Sequence, residues 1–167
     1  MRRTSFAEFR CSLSRSLEVM GDWWTMLILR DLHLGVNRFD ELVEDLGISR
    51  NLLTTRLREL AGHGIVERVR YQERPVRYEY RLSEPGRELV PILFALTAWG
   101  DRWAAPDEGP PLRLRHDACG AVFTPGVTCS ECGGAVTAQD VTAVPGPGGA
   151  AGPGTWVLAR RLASRTA

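Results

Sequence analysis

A mainly α-helical fold with one β-hairpin, followed by a small metal-stapled β module, is the fold class predicted by this 167-residue sequence. Three observations predict it. Residues 12–62 hold apolar positions at three- and four-residue spacing, the mark of short amphipathic helices. Two strand-like runs, IVERVRYQ and RYEYRL, then flank a tip containing Pro75. Lastly, the phrases HDACG and CSECGG hold three of the four cysteines and one of the three histidines. These features suggest boundaries: residues 1–104 a helical domain with its hairpin, 105–111 a Pro-rich linker, 112–142 the Cys-containing module, and 143–167 a Gly/Pro-rich segment with a basic tail.

The first helices fall in residues 12–33 and break near Gly21-Asp22. The second of them, WWTMLILRDLH, is nearly all apolar and suits the middle of a small core. Trp23 and Trp24 read as core or subunit-contact residues, because large aromatic side chains carry large burial energies. Phe39, Leu42, Val43 and Leu46 mark the inner face of a third helix. Gly47 closes it in a left-handed conformation, and Ser49 stands where an N-cap belongs.

Ser49 opens SRNLLTTRLRELAGHG, with Leu53, Leu57 and Leu60 as its inward stripe. Arg50, Asn51, Thr54, Thr55 and Arg58 gather towards the other side. Two helices joined by a tight turn, the second outwardly rich in Arg, Asn and Thr, form the helix-turn-helix pattern. Arg forks to guanine, Asn to adenine, and a Thr methyl touches thymine. An ordinary solvated helix face would read similarly, and the two strand-like runs downstream tilt the balance. A hairpin directly after such a helix is a wing, whose Arg70, Arg74, Arg77 and Arg81 can meet phosphates or a minor groove. Glu67, Glu73 and Glu79 dilute that charge, and some wing arginines should pair with them across strands. The DNA-contacting set is therefore Arg38, Ser49, Arg50, Asn51, Thr54, Thr55, Arg58, Arg74 and Arg77, with double-stranded DNA as partner.

After SEPG a long helix is expected from about Gly86 to Trp103. Leu89, Ile92, Leu96, Trp99 and Trp103 recur along it with a mean period near that of a coiled-coil seam. The seam could pack on its own domain. Five large apolar residues beyond a core already supplied favour a homodimer instead, and a two-fold protein matches a palindromic site.

Composition limits the alternatives. The chain is 44% hydrophobic and 25% charged, ordinary for a globular protein, and its net charge of +1 confines any nucleic-acid binding to local patches. All 21 basic residues are Arg, which can fork onto phosphate or guanine where Lys would be a point charge. The start, MRRTSFAEFR, lacks a signal-peptide apolar run, and VPILFALTAW is too short to span a bilayer. A cytoplasmic protein without membrane contact is expected. No base stands near a nucleophile, and His33 and His63 read as helix-end residues, so no enzyme is expected.

With these motifs in place, the stretch from Cys11 to about Gly100 resembles the HxlR family of bacterial winged helix-turn-helix regulators, relatives of the MarR group. The resemblance rests on a Cys at the start of the first helix, the phrase GDWWTMLILR, RFDEL, ISRNLLTTRLREL and the YRLSEPG entry to the last helix. Asp22 departs from the small or polar residue usual there. The resemblance implies a homodimer that sets the helix beginning at Ser49 in the major groove with the QERPVR wing beside it. The resemblance does not distinguish repression from activation; repression is the default expectation, and a response to a redox or small-molecule effector is compatible with it. In some relatives the Cys at the place of Cys11 senses oxidants or electrophiles through an inter-subunit disulfide. A helix N-terminus beside Arg10 favours a thiolate at Cys11, but a small buried thiol at the dimer contact is the preferred reading.

Beyond the stretch that resembles the family, His116-x2-Cys119-Gly and Cys129-x2-Cys132-Gly each look like a zinc knuckle, and together like a zinc ribbon. The spacer AVFTPGVT reads as strand, Pro-Gly turn and strand. A structural Zn on His116, Cys119, Cys129 and Cys132 would stabilise a segment with few large apolar side chains. Iron also suits a Cys-rich site, and His116 fits a near neighbour of the ion as well as a ligand; the same cysteines would serve alternatively as a redox disulfide, or the site could stand empty. VPGPGGAAGPG is expected to be flexible, and Arg160, Arg161 and Arg165 make the tail basic. A winged helix plus a zinc ribbon also fits a second class, a protein-interaction module of the transcription machinery. The DNA-reading residue types on the fourth helix separate the two.

Overall fold

Helix punctuation sets the architecture. In a computed structural model, which describes residues 5–164, α1 (Ser12–Met20) closes at Gly21, whose N–H bonds the Leu17 carbonyl at 2.7 Å. Asp22 is extended and caps α2 (Trp23–His33), its carboxylate accepting the Trp24 N–H at 3.0 Å. The departure at Asp22 is thus a working N-cap. Along α2, Ile28 and Leu29 are 0% exposed. Trp23 is 90% exposed and belongs to no core; Trp24 is half-buried.

Leu42 carries the inner face of α3 (Phe39–Leu46), with Phe39, Val43 and Leu46 half-buried around it. Gly47 has φ +61°, a left-handed conformation that costs glycine little, and it turns the chain so that Ile48 plugs the core. Helix α4 (Arg50–Gly62) starts at Ser49, whose hydroxyl accepts the Leu52 N–H at 3.3 Å, and buries Leu53, Leu57 and Leu60. Strands β1 (Val66–Glu73) and β2 (Val76–Leu82) pair antiparallel, and the chain reverses at the cis Arg74-Pro75 bond. The Ser83 hydroxyl closes the hairpin base by donating to the Gly64 and Ile65 carbonyls at 2.6 and 3.0 Å. A bridge between Arg38 and Glu79, with the Tyr80 N–H on the Asn37 carbonyl at 2.9 Å, adds a third, minimal strand just before α3.

Asp31 is a buried carboxylate in this core. Burial raises its pKa, an effect opposed by Arg30, whose Nε stands 2.7 Å from Oδ1.

Two compact units emerge, Met1–Ser83 with Thr142–Ala167, and Glu84–Val141. In the first, the Gly/Pro-rich segment returns to the N-terminal arm. The Arg10 N–H bonds the Pro153 carbonyl at 3.1 Å, and buried Thr155 donates its hydroxyl to the Ala150 carbonyl at 2.9 Å. Gly154, at φ +78°, lies so near the Phe9 ring that an added Cβ would stand 2.5 Å away. This part of the segment is docked, contrary to the flexibility expected of its composition. Helix α7 follows (Trp156–Ala163, with Arg160 and Arg161); Arg165 lies outside the described residues.

In the second unit the single long helix expected from Gly86 is two, α5 (Glu84–Glu88) and α6 (Val90–Trp103). Pro91 lacks the N–H that would continue the ladder through Leu89. Strands β3 (Leu114–Arg115) and β4 (Val122–Phe123) form a short hairpin. The spacer is a strand and an extended run without the expected Pro-Gly turn; Thr128 instead bridges to Ala135. Among the described residues, no helix is long and apolar enough to cross a membrane.

Candidate nucleic-acid interface

Helical geometry decides which side chains of α4 are presented. At about 100° per residue, positions 50, 51, 54, 55 and 58 fall within an arc of about 140°. Leu53, Leu57 and Leu60 occupy a narrower arc on the other side, and all three are at most 2% exposed. Arg38, Ser49, Arg50, Asn51, Thr54, Thr55, Arg58, Arg74 and Arg77 are all exposed. The core therefore anchors one face of α4 and leaves the other to solvent.

Several of these residues already have partners. Arg50 pairs with Asp40 at 2.6 Å and lies 5.6 Å from the Phe39 ring centroid. Both ends of that ion pair are well exposed, so it is worth about 1 kcal/mol at most and yields readily to a base. The Thr54 and Thr55 hydroxyls donate to the Arg50 and Asn51 carbonyls at 2.8 and 3.0 Å, which leaves their lone pairs as acceptors. Arg58, Arg74 and Arg77 make no ion pair among the described residues. Arg81 pairs with Glu79 on its own strand at 2.5 Å, so the expected pairing is along β2 and not across the hairpin.

Arg38 is held by the Glu41 carboxylate, which its guanidinium also meets at 3.6 Å, and by the Tyr71 ring. Its N–H donates to the Glu41 carboxylate at 3.3 Å, and its guanidinium stands 5.3 Å from the Tyr71 ring centroid. Tyr71 is available because a bulge between Arg70 and Gln72 leaves it without a cross-strand partner. Arg38, Tyr71, Arg77 and Tyr78 line one shallow cleft between the start of α3 and the wing, together with the acidic Asp40 and Glu41. Sequence reasoning missed Tyr71 and Asp40, since neither a bulge nor a competing ion pair has a local signature. It also left Arg56 unassigned. At the edge of the apolar stripe, Arg56 reaches Asp22 at 2.7 Å and Glu59 at 2.7 Å, tying α4 to the start of α2.

Cys11 is half-buried at the N-cap position of α1. Its pKa is lowered chiefly by the Ser14 backbone N–H, then by the Ser14 hydroxyl, against a small desolvation penalty. On α6, Ile92, Leu96, Trp99 and Trp103 are 52–66% exposed and Leu89 is half-buried, while Val90 and Leu93 are buried. His33 ends α2 and His63 is the C-cap of α4, as expected.

The Cys-containing phrases form two pairs. His116 Nδ1 and Cys119 Sγ are 3.4 Å apart. Cys129 has its pKa lowered first by the Cys132 backbone N–H, then by that of Glu131 and the Cys132 thiol. The expected convergence of all four is not formed: among the described residues, no three His, Cys, Asp or Glu side chains are placed to hold one ion. Each pair closes within its own loop, and the few large apolar side chains there bury nothing that would press the loops together.

Comparison with known proteins agrees with the geometry. The family model of the HxlR-like helix-turn-helix matches residues 19–108, which spans α2 to α6 and stops short of Cys11. The uncharacterized HTH-type transcriptional regulator Rv3095 of Mycobacterium tuberculosis is 47% identical over 137 residues, 82% of this chain and 87% of its own. The crystal structure of PA1607, named as a candidate transcription factor, superposes with a TM-score of 0.74 at 34% identity, covering 84% of this chain and 98% of that one. The redox regulator HypR in its oxidized form superposes at 0.52 with 35% identity, over 55% of this chain and 95% of its own. Both Rv3095 and PA1607 match more of the chain than the family model does. By its helix-turn-helix, its wing and these likenesses, the chain belongs to the HxlR-like helix-turn-helix family of transcriptional regulators.

Proposed function

We propose that this protein is a sequence-specific DNA-binding regulator that acts as a homodimer on a palindromic operator, and that it represses. The observation that carries the reading is the division of α4 into a buried leucine stripe and an exposed face of Arg, Asn and Thr. Those residue types supply forked donors for guanine, a bidentate amide for adenine and methyl contacts for thymine. Arg74 and Arg77 on the hairpin would take phosphates and set the register. The exposed apolar seam of α6 supports dimerisation, because a single chain leaves Ile92, Leu96, Trp99 and Trp103 in water. Repression needs nothing more than occupancy, since a dimer seated on two half-sites excludes other proteins from the same stretch of duplex.

The test is to sequence genomic fragments retained by the purified protein at a stated salt concentration. Retained fragments should share an inverted repeat whose half-site centres lie one helical turn apart, about 10–10.5 base pairs. Retention without a shared sequence would reduce the protein to a nonspecific binder.

A thiol response at Cys11 is favoured by the environment of its sulfur and by the likeness to a redox regulator. A lowered pKa means that the thiolate persists at lower pH than in a free thiol. The rate of Cys11 alkylation, followed by mass spectrometry of its peptide, should therefore reach half-maximum at a lower pH than the thiol of an unfolded peptide of the same sequence. A midpoint at or above that of the peptide, or no labelling in the native protein, removes Cys11 as a sensor.

A further inference from the structure

Two ligands separated by two residues and closed by glycine form a short loop that aims both side chains at one ion. The loops at His116 and Cys129 have different sequences, HDACGA and CSECGG, yet they share the same two closing backbone hydrogen bonds. The His116 N–H donates to the Ala121 carbonyl at 2.8 Å, and the Cys129 N–H to the equivalent Gly134 carbonyl at 2.8 Å. The Gly120 N–H returns to the His116 carbonyl at 2.7 Å, and the Gly133 N–H to the Cys129 carbonyl at 2.9 Å. Gly120 and Gly133 have φ of +71° and +70°, where a side chain would be strained. Outside each loop a β pair seals the neck, Arg115 with Val122 and Thr128 with Ala135.

Ligand separation agrees as well. An imidazole nitrogen and a thiolate on one tetrahedral zinc stand about 3.6 Å apart, given ordinary bond lengths. His116 Nδ1 and Cys119 Sγ, at 3.4 Å, are already close to that spacing. Burial supplies an independent argument: no residue from 104 to 141 is buried. A β module that keeps its side chains in solvent has no core to hold its two hairpins, and needs a staple.

We propose that the two loops bind one zinc ion through His116, Cys119, Cys129 and Cys132, and that the ion draws the two pairs onto one tetrahedral centre. Three thiols lose their protons on binding, and the resulting thiolates with one imidazole favour zinc over harder cations. Four protein ligands leave no open position for water, so the ion is structural.

Cobalt(II) provides the readout, because tetrahedral thiolate coordination gives intense visible absorption. The whole chain, stripped of metal and kept reduced, is titrated with cobalt(II) and then with zinc(II). The expected result is tetrahedral bands that saturate at one ion per chain and are bleached by zinc. The bands should be lost in Cys119→Ser and in Cys132→Ser, retained in His116→Cys with a shifted envelope, and unchanged in Cys11→Ser. Zinc should also protect residues 112–141 from protease, and a chelator should reverse that protection. Absent tetrahedral bands, bands surviving Cys119→Ser, half an ion per chain, or a Cys129–Cys132 disulfide persisting under reductant would each overturn the proposal.

Discussion

Replacing Arg50 and Arg58 together with alanine should weaken binding to the selected operator by about 100-fold, while nonspecific DNA loses far less. Each forked Arg–guanine contact carries about 1–3 kcal/mol of discrimination. Two such contacts amount to about 2–6 kcal/mol, and every 1.4 kcal/mol is a factor of ten. Arg50 must first leave Asp40, which reduces its share by about 1 kcal/mol at most. The double variant should fold normally, since both side chains are exposed while the leucine stripe is buried. Two companions sharpen the result. Asp40→Asn should bind as well as the parent or slightly better, because it releases Arg50. Arg74→Ala with Arg77→Ala should weaken all sequences alike and flatten the salt dependence by about one unit of slope for each phosphate no longer neutralised. An anisotropy titration that does not move in the Arg50/Arg58 variant means that α4 does not read bases.

Leu96→Glu combined with Trp99→Glu should leave the proposed dimer monomeric and abolish operator binding with it. The two residues lie on the exposed seam of α6 at 53% and 60% exposure, so neither change disturbs the core. A central Trp in an interface is worth about 2 kcal/mol or more on truncation. Carboxylates buried in the proposed dimer seam add an unpaired-charge penalty, for a combined effect of about 1,000-fold or more in dimer dissociation. Analytical ultracentrifugation across concentration measures this directly. A variant that stays dimeric places the interface elsewhere, and the exposed Trp23, Leu13 and Leu27 of α1 and α2 then become the next surface to test.

Much of the local architecture was legible in the sequence. Gly21-Asp22, Gly47 and Ser49 punctuate the helices where their backbone and capping chemistry says they should. The outward set on α4 follows from leucine spacing alone. Pro91 was equally readable, and its missing N–H accounts for the split between α5 and α6 that the apolar periodicity conceals. The repeated x2 spacing with its trailing glycine announced two matching loops, and two matching loops formed.

By itself the amino-acid order determined the helices, the turn between α3 and α4, the hairpin and the two glycine-closed loops. The helices, the turn and the loops depend on interactions within about five residues, and the hairpin on strands that face each other across one short tip, so the pattern of side chains already contains them. Only the tertiary structure decided that Arg56 ties α4 to Asp22, that Asp40 occupies Arg50, that a bulge brings Tyr71 to Arg38, and that Gly154 seats against Phe9. Each of those contacts joins groups on separate segments, and packing chooses among many partners of equal charge or size.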